Sequence, residues 1–84
     1  MSKTENGFML RGKVSDIQTQ QTKKGKTMYT YFVFTGRNVE RVRSMTNGLK
    51  LGDNFHSFVS IKPYTSNKTG AMGLEIWEGD RVAA

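Results

Sequence analysis

The feature that most constrains this chain is its punctuation. Gly, Asn, Asp and a single proline cut its 84 residues into short runs, and most of those runs alternate apolar with polar residues. A period of two belongs to half-buried strands, and short strands separated by turn residues point to an all-β domain. Residues 1–6 are polar and are expected to form a flexible N-terminal segment. Residues 7–82 are expected to form a single domain, with 83–84 as its C-terminal end.

The first run is GFMLRGKVSDIQTQQT. Phe8, Leu10 and Val14 alternate onto one face, and Met9, Arg11, Lys13 and Ser15 onto the other. The phase then slips, because Ile17 is odd-numbered. A long strand that changes phase near a glycine implies a bulge or sharp bend. KKGK is a turn in which Gly25 is free to take positive φ. TMYTYFVFT follows, rich in aromatic and β-branched residues. Its alternation puts Met28, Phe32 and Phe34 with Thr30, and Tyr29 and Tyr31 with Val33. The first set is expected in the core and the second outside.

The segment RNVERVRSM fits two templates. As a helix, Val39, Val42, Met45 and Leu49 recur at a nearly helical interval. As a strand, Val39 and Met45 share a face with Arg41 and Arg43. The neighbouring strands and the turn TGRN favour the strand. TNGLKLGDN reads as a loop. In FHSFVSIKP, Phe55, Val59 and Ile61 point one way and His56, Phe58, Ser60 and Lys62 the other. Pro63 lacks an N–H and is expected to end the ladder or lie on an edge. YTSNKTGAMG is a basic loop, and LEIWEGDRV places Leu74 and Ile76 inside with Glu75 and Trp77 outside. Five strands with prominent loops between the first two and the last two describe a Greek-key barrel of the OB-fold type.

A domain of this size buries only about 60–65% of the surface its unfolded chain exposes. With no cysteine and only His56 as a histidine, neither a disulfide nor a zinc site is expected to add stability. A subunit interface would, so a homodimer or higher homo-oligomer is expected. No apolar run approaches the roughly 20 residues needed to span a membrane, and MSKTENGFML has no hydrophobic core of signal-peptide length. A cytoplasmic protein is expected.

Thirteen Lys and Arg stand against seven Asp and Glu, a net charge of +6. The pI is near 9.9. That balance is the electrostatic footprint of a nucleic-acid binder. The side chains expected to point outward are Arg11 and Lys13 on the first strand, Tyr29 and Tyr31 on the second, Phe58 and Lys62 on the fourth and Trp77 on the fifth. The loops add Lys23, Lys24, Lys26 and Lys68. Arg37, Arg41 and Arg43 extend the patch. Cations that track phosphates beside rings that stack on unpaired bases are what single-stranded DNA needs.

Plainer readings exist for each residue. The two tyrosines could cover a second apolar surface or a dimer interface. Phe58 suits an interface, and Trp77 could close the barrel. The lysine turn could be simply solvated, Tyr64 could pack on its neighbours, and His56 reads as a bystander. The functional reading rests on the surplus cations and the unexplained aromatics falling together.

The runs LRGKV, TKKGKTMYTYFVFTG, LKLGDNFHSFVSIKPY and TGAMGLEIWEGDRV together resemble small single-stranded-DNA-binding OB-folds. In size and layout they are similar to the gene V class of filamentous phages and to the OB domain of bacterial single-stranded-DNA-binding proteins. The resemblance covers about residues 7–82 and is densest at KKGKTMYTY. It implies a phage- or plasmid-type replication protein, a homodimer that coats single-stranded DNA without sequence preference. It also implies roles for Lys24, Lys26 and Tyr29 or Tyr31, and for residues 68–72. RNVERVRSM is more basic and more helix-like than that class suggests. The ending DRVAA lacks an acidic, phenylalanine-tipped tail, so recruitment of other proteins through such a tail is not expected.

Two other functions fit the same features, an RNA-binding OB domain and a protein-interaction module. An enzyme is not expected, because no His/acid pair, cysteine or phosphate-binding glycine loop is present. No cofactor or metal is expected.

Overall fold

The computed structural model describes residues 7–66 and 68–82. The expectations for residues 1–6 and 83–84 fall outside that range. The described chain is all-β. Its five strands are β1 (Gly7–Gln21), β2 (Thr27–Phe34), β3 (Val39–Ser44), β4 (Asn54–Thr65) and β5 (Met72–Arg81). They close into a barrel in the order β1-β2-β3-β5-β4, with only the β3–β5 pair parallel. This is the OB-type barrel expected from the runs and turns.

The long first strand belongs to both halves of the barrel. Its first part pairs with β4, from Gly7↔Ser60 to Lys13↔Asn54, and its second with β2, from Lys13↔Phe34 to Gln21↔Thr27. The expected change of phase is a bulge between Val14 and Asp16. The backbone N–H and C=O that Val14 presents there bond to the loop between β3 and β4, at Asp53 O and Gly52 N. That loop is thereby fastened over the bulge, and Leu49 packs on the core. At Gly12 a Cβ would collide with the Phe34 carbonyl oxygen, so only glycine lets β1 and β2 approach where the barrel closes.

The core is Leu10, Val14, Tyr31, Val33, Val42, Phe55 and Val59. This corrects the phase of β2. Tyr31 and Val33 point inward and Tyr29 packs half-buried against the core, while Phe34 is 46% exposed and Met28 and Phe32 lie half-buried on the outside. Both faces of TMYTYFVF are apolar enough for a core, so alternation alone could not choose. The cross-strand partners chose: Val33 faces Val14, and Tyr31 faces Val42.

The segment with two templates is a strand. Val42 and Ser44 turn inward, and Arg41 and Arg43 outward. Strand β4 does not end at Pro63 but runs to Thr65. Its ladder to β1 reaches only Ser60 among the described residues, so Pro63 lies on an arm paired with β5 alone, where a missing N–H is tolerated. Leu74 was expected inside, but it stands on this projecting arm and is 69% exposed. Phe8, on the core side of β1, is likewise left partly uncovered at that end.

One end of the barrel is closed by a polar cluster that sequence reasoning missed. Glu78, with a side chain 1% exposed, takes a bidentate contact from Arg81, Nε and Nη2 each at 2.8 Å. It also accepts hydrogen bonds from the hydroxyls of Ser44 and Ser57. Arg81 continues to the carbonyls of Asn47 and Thr46, and the Tyr31 hydroxyl donates to the same Thr46 carbonyl at 2.7 Å. Burial alone would push the Glu78 carboxyl up. The Arg81 guanidinium and the two serine hydroxyls outweigh it and hold the group below its ordinary value. Burial raises the Tyr31 hydroxyl despite Arg81 beside it.

Candidate nucleic-acid interface

The outer surface of β1, β2 and β3 carries the candidate site. The registers set its rows. Lys13 lies opposite Phe34, and Phe34 opposite Val39. One row along, Asp16 lies opposite Phe32, and Phe32 opposite Arg41. Next come Gln18, Thr30 and Arg43. Two phenylalanine rings, i and i+2 on one strand, are thus flanked by a lysine on one side and an arginine on the other. Lys13 and Arg41 are exposed and form no ion pair with a described residue.

The correction to β2 therefore exchanges the aromatics and keeps the cations. Tyr31 is fully buried and cannot stack on a base. Its ring lies parallel to that of Tyr29, centroids 6.0 Å apart, and Arg81 sits over it. Tyr29 is half-buried on the same inner face, at the edge of a cleft lined by Lys26, Met45 and Asn47. Phe32 and Phe34, assigned to the core, take the outward positions. One signal could have found them. The basic residues of β1 and β3 had already fixed which face is outside, and β2 must be read in register with that face.

The remaining residues form separate groups. Arg43, Lys62 and Trp77 meet on the outside of β3, β5 and β4, where Arg43 is opposite Trp77 and Lys62 opposite Glu75. Lys23, Lys24 and Lys26 are exposed at the far end of the β1–β2 hairpin, beyond Thr27, which is itself seven strand positions and about 23 Å from Phe34. The turn forms as expected, with Gly25 at φ 83° and the Gly25 N–H bonded to Thr22 O. Arg37 is exposed in the turn between β2 and β3, and Lys68 in the β4–β5 turn. Arg11 faces His56 around the barrel from Lys13. Phe58 does not stand free. Its ring lies against Gly7, where a Cβ would come within 2.6 Å of it. Tyr64 covers Gly73 in the same way.

Compared with known protein families, curated proteins and solved structures, the chain matches none.

Proposed function

We propose that this protein is a sequence-independent single-stranded-DNA-binding protein that coats its ligand and performs no chemistry. The observation that carries the reading is the cross-strand placement of exposed Phe34 beside Lys13 and of Phe32 beside Arg41. Every base has a π face, so rings that stack on bases tolerate any sequence, and the neighbouring cations take the phosphates. Duplex DNA hides those faces. Arg37 adds a cation at the Phe34 end of β2, and the lysine turn adds a second basic group at the far end of the hairpin.

A second copy of the chain completes the reading. The β4–β5 arm turns Ile61, Pro63, Met72 and Leu74 toward one side, and Ile61, Pro63 and Leu74 line with Phe8 an apolar groove left open to solvent. Among the described residues, neither 61–65 nor 72–75 pairs beyond the arm itself. A two-stranded ribbon is marginal alone. The same groove and ribbon on another copy cover both the apolar side and the free edges in an isologous contact.

The test is a titration with oligo(dT), the matching RNA and a duplex at several salt concentrations, followed by the anisotropy of a labelled strand. Binding to oligo(dT) is expected, with log K falling against log salt at a slope near −3.5 if about five phosphates are neutralised. A flat salt response, or equal affinity for duplex, rules the reading out. A tenfold preference for RNA turns it into the RNA-binding alternative.

A further inference from the structure

Glu75 lies among the outward cations of β3, β5 and β4, and both its oxygens are engaged. Oε2 lies 2.9 Å from Arg43 Nε, off the direction of the N–H, so the contact is ionic rather than a hydrogen bond. Oε1 accepts the indole N–H of Trp77 at 3.1 Å. Lys62, opposite Glu75 in the ladder, holds its ammonium 5.7 Å from the centre of the Trp77 ring. Arg43 also reaches Met28 on β2. An anion is thus held by a guanidinium, beside an aromatic ring that a second cation covers. A nucleotide would present the same chemistry there, a phosphate for the guanidinium and a base for the ring.

We propose that Arg43, Lys62 and Trp77 form a phosphodiester subsite that Glu75 fills in the free protein and that a strand of nucleic acid enters by displacing the Glu75 carboxylate. The inference rests on the binding function proposed above. Glu75 holds the guanidinium and the indole in place and partly neutralises the guanidinium. The strand must break that contact and leave the carboxylate to water. Glu75 therefore lowers affinity and lowers the number of counterions released, since one incoming phosphate replaces an anion already present.

The experiment compares Glu75→Gln, Asp16→Asn, Arg43→Gln and the Glu75→Gln/Arg43→Gln double variant with the native protein, all binding labelled oligo(dT) over a range of salt. Asp16 is the control. It lies opposite Phe32 on the proposed face and is ion-paired with no described residue, so Asp16→Asn makes the same charge change without opening a cation. Glutamine at 75 keeps an acceptor for the indole. Glu75→Gln is expected to tighten binding about fivefold, the scale of one displaced part-exposed ion pair, and to steepen the salt slope by about 0.7. Asp16→Asn gives the effect of removing one negative charge from the face without uncovering a cation, and Glu75→Gln is expected to exceed it in affinity and in slope; in the Arg43→Gln background the gain from Glu75→Gln disappears. Equal tightening by Glu75→Gln and Asp16→Asn overturns the subsite, as does an unchanged slope or a gain that persists without Arg43. No binding by any variant or by the native protein overturns the subsite together with the function it rests on.

Discussion

Phe34 stands directly across the β1–β2 ladder from Lys13, and its ring is almost half exposed. An exposed phenylalanine beside a lysine free of any ion pair with a described residue contributes little to the barrel. Phe34→Ala is expected to weaken binding of oligo(dT) by about 1–3 kcal/mol, the scale of one stacked base, while the thermal midpoint stays nearly unchanged. Lys13→Gln is expected to reduce the salt slope by about 0.7. Anisotropy titration and thermal melting of the same samples check both. A Phe34→Ala protein that melts early and binds normally when folded would assign the ring to packing.

Tyr31 gives the opposite result. It fills the core between Val42 and Phe55, so Tyr31→Ala opens a cavity costing about 3–5 kcal/mol. A chain of this length has about 4–13 kcal/mol in all, so the variant is expected at or near unfolding by circular dichroism. Tyr31→Phe loses only the bond to the Thr46 carbonyl, about 1 kcal/mol. It should fold and bind oligo(dT) as the native protein does. Weaker binding by folded Tyr31→Phe would place the hydroxyl at the ligand.

The barrel was legible from the chain because its turns are written in Gly, Asn and Asp and its phase change falls in the first strand. Leu10, Val14, Phe55 and Val59 sit where alternation put them. The face of β2 was not legible, because tyrosine and phenylalanine occupy both phases and local pattern carries no information about which neighbour they meet. Glu78 and Arg81 were missed for a related reason. A charge is read as surface unless its partner is known, and the partners here come from β3, β4 and the loop after β3. Lys13, Arg41 and Arg43 point outward as expected, because Leu10, Val14, Val42 and Ser44 hold buried alternate positions on the same strands.

The open side of the β4–β5 arm bears on assembly. Met72 is 79% exposed and Leu74 69%, on the arm that the proposed second copy would cover. Leu74→Lys is expected to convert a dimer into a monomer at micromolar protein without unfolding the barrel, since the residue touches little of the core. Sedimentation or light scattering checks the mass, and circular dichroism checks the fold. A native protein that is already monomeric at such concentrations removes the second copy from the reading.

The Glu78–Arg81 pair makes stability depend on acid in a way that can be separated from the other carboxylates. Glu78 is held below its ordinary value of 4.5, so its contribution is complete above that pH and is lost as pH falls through the folded-state value. Arg81→Leu leaves a buried carboxylate with only the two serine hydroxyls, a loss of about 3–5 kcal/mol at neutral pH. Burial then dominates and raises the Glu78 value, so protonation favours the variant's folded state where it disfavours the native one. The difference in unfolding free energy between the two proteins should therefore narrow as pH falls from 7 toward 4 and below. Urea melts of both proteins at matched pH values measure that difference, and the remaining carboxylates cancel in it. A gap that stays constant down to pH 3 would mean that Arg81 stabilises the barrel through the Asn47 and Thr46 carbonyls rather than through Glu78.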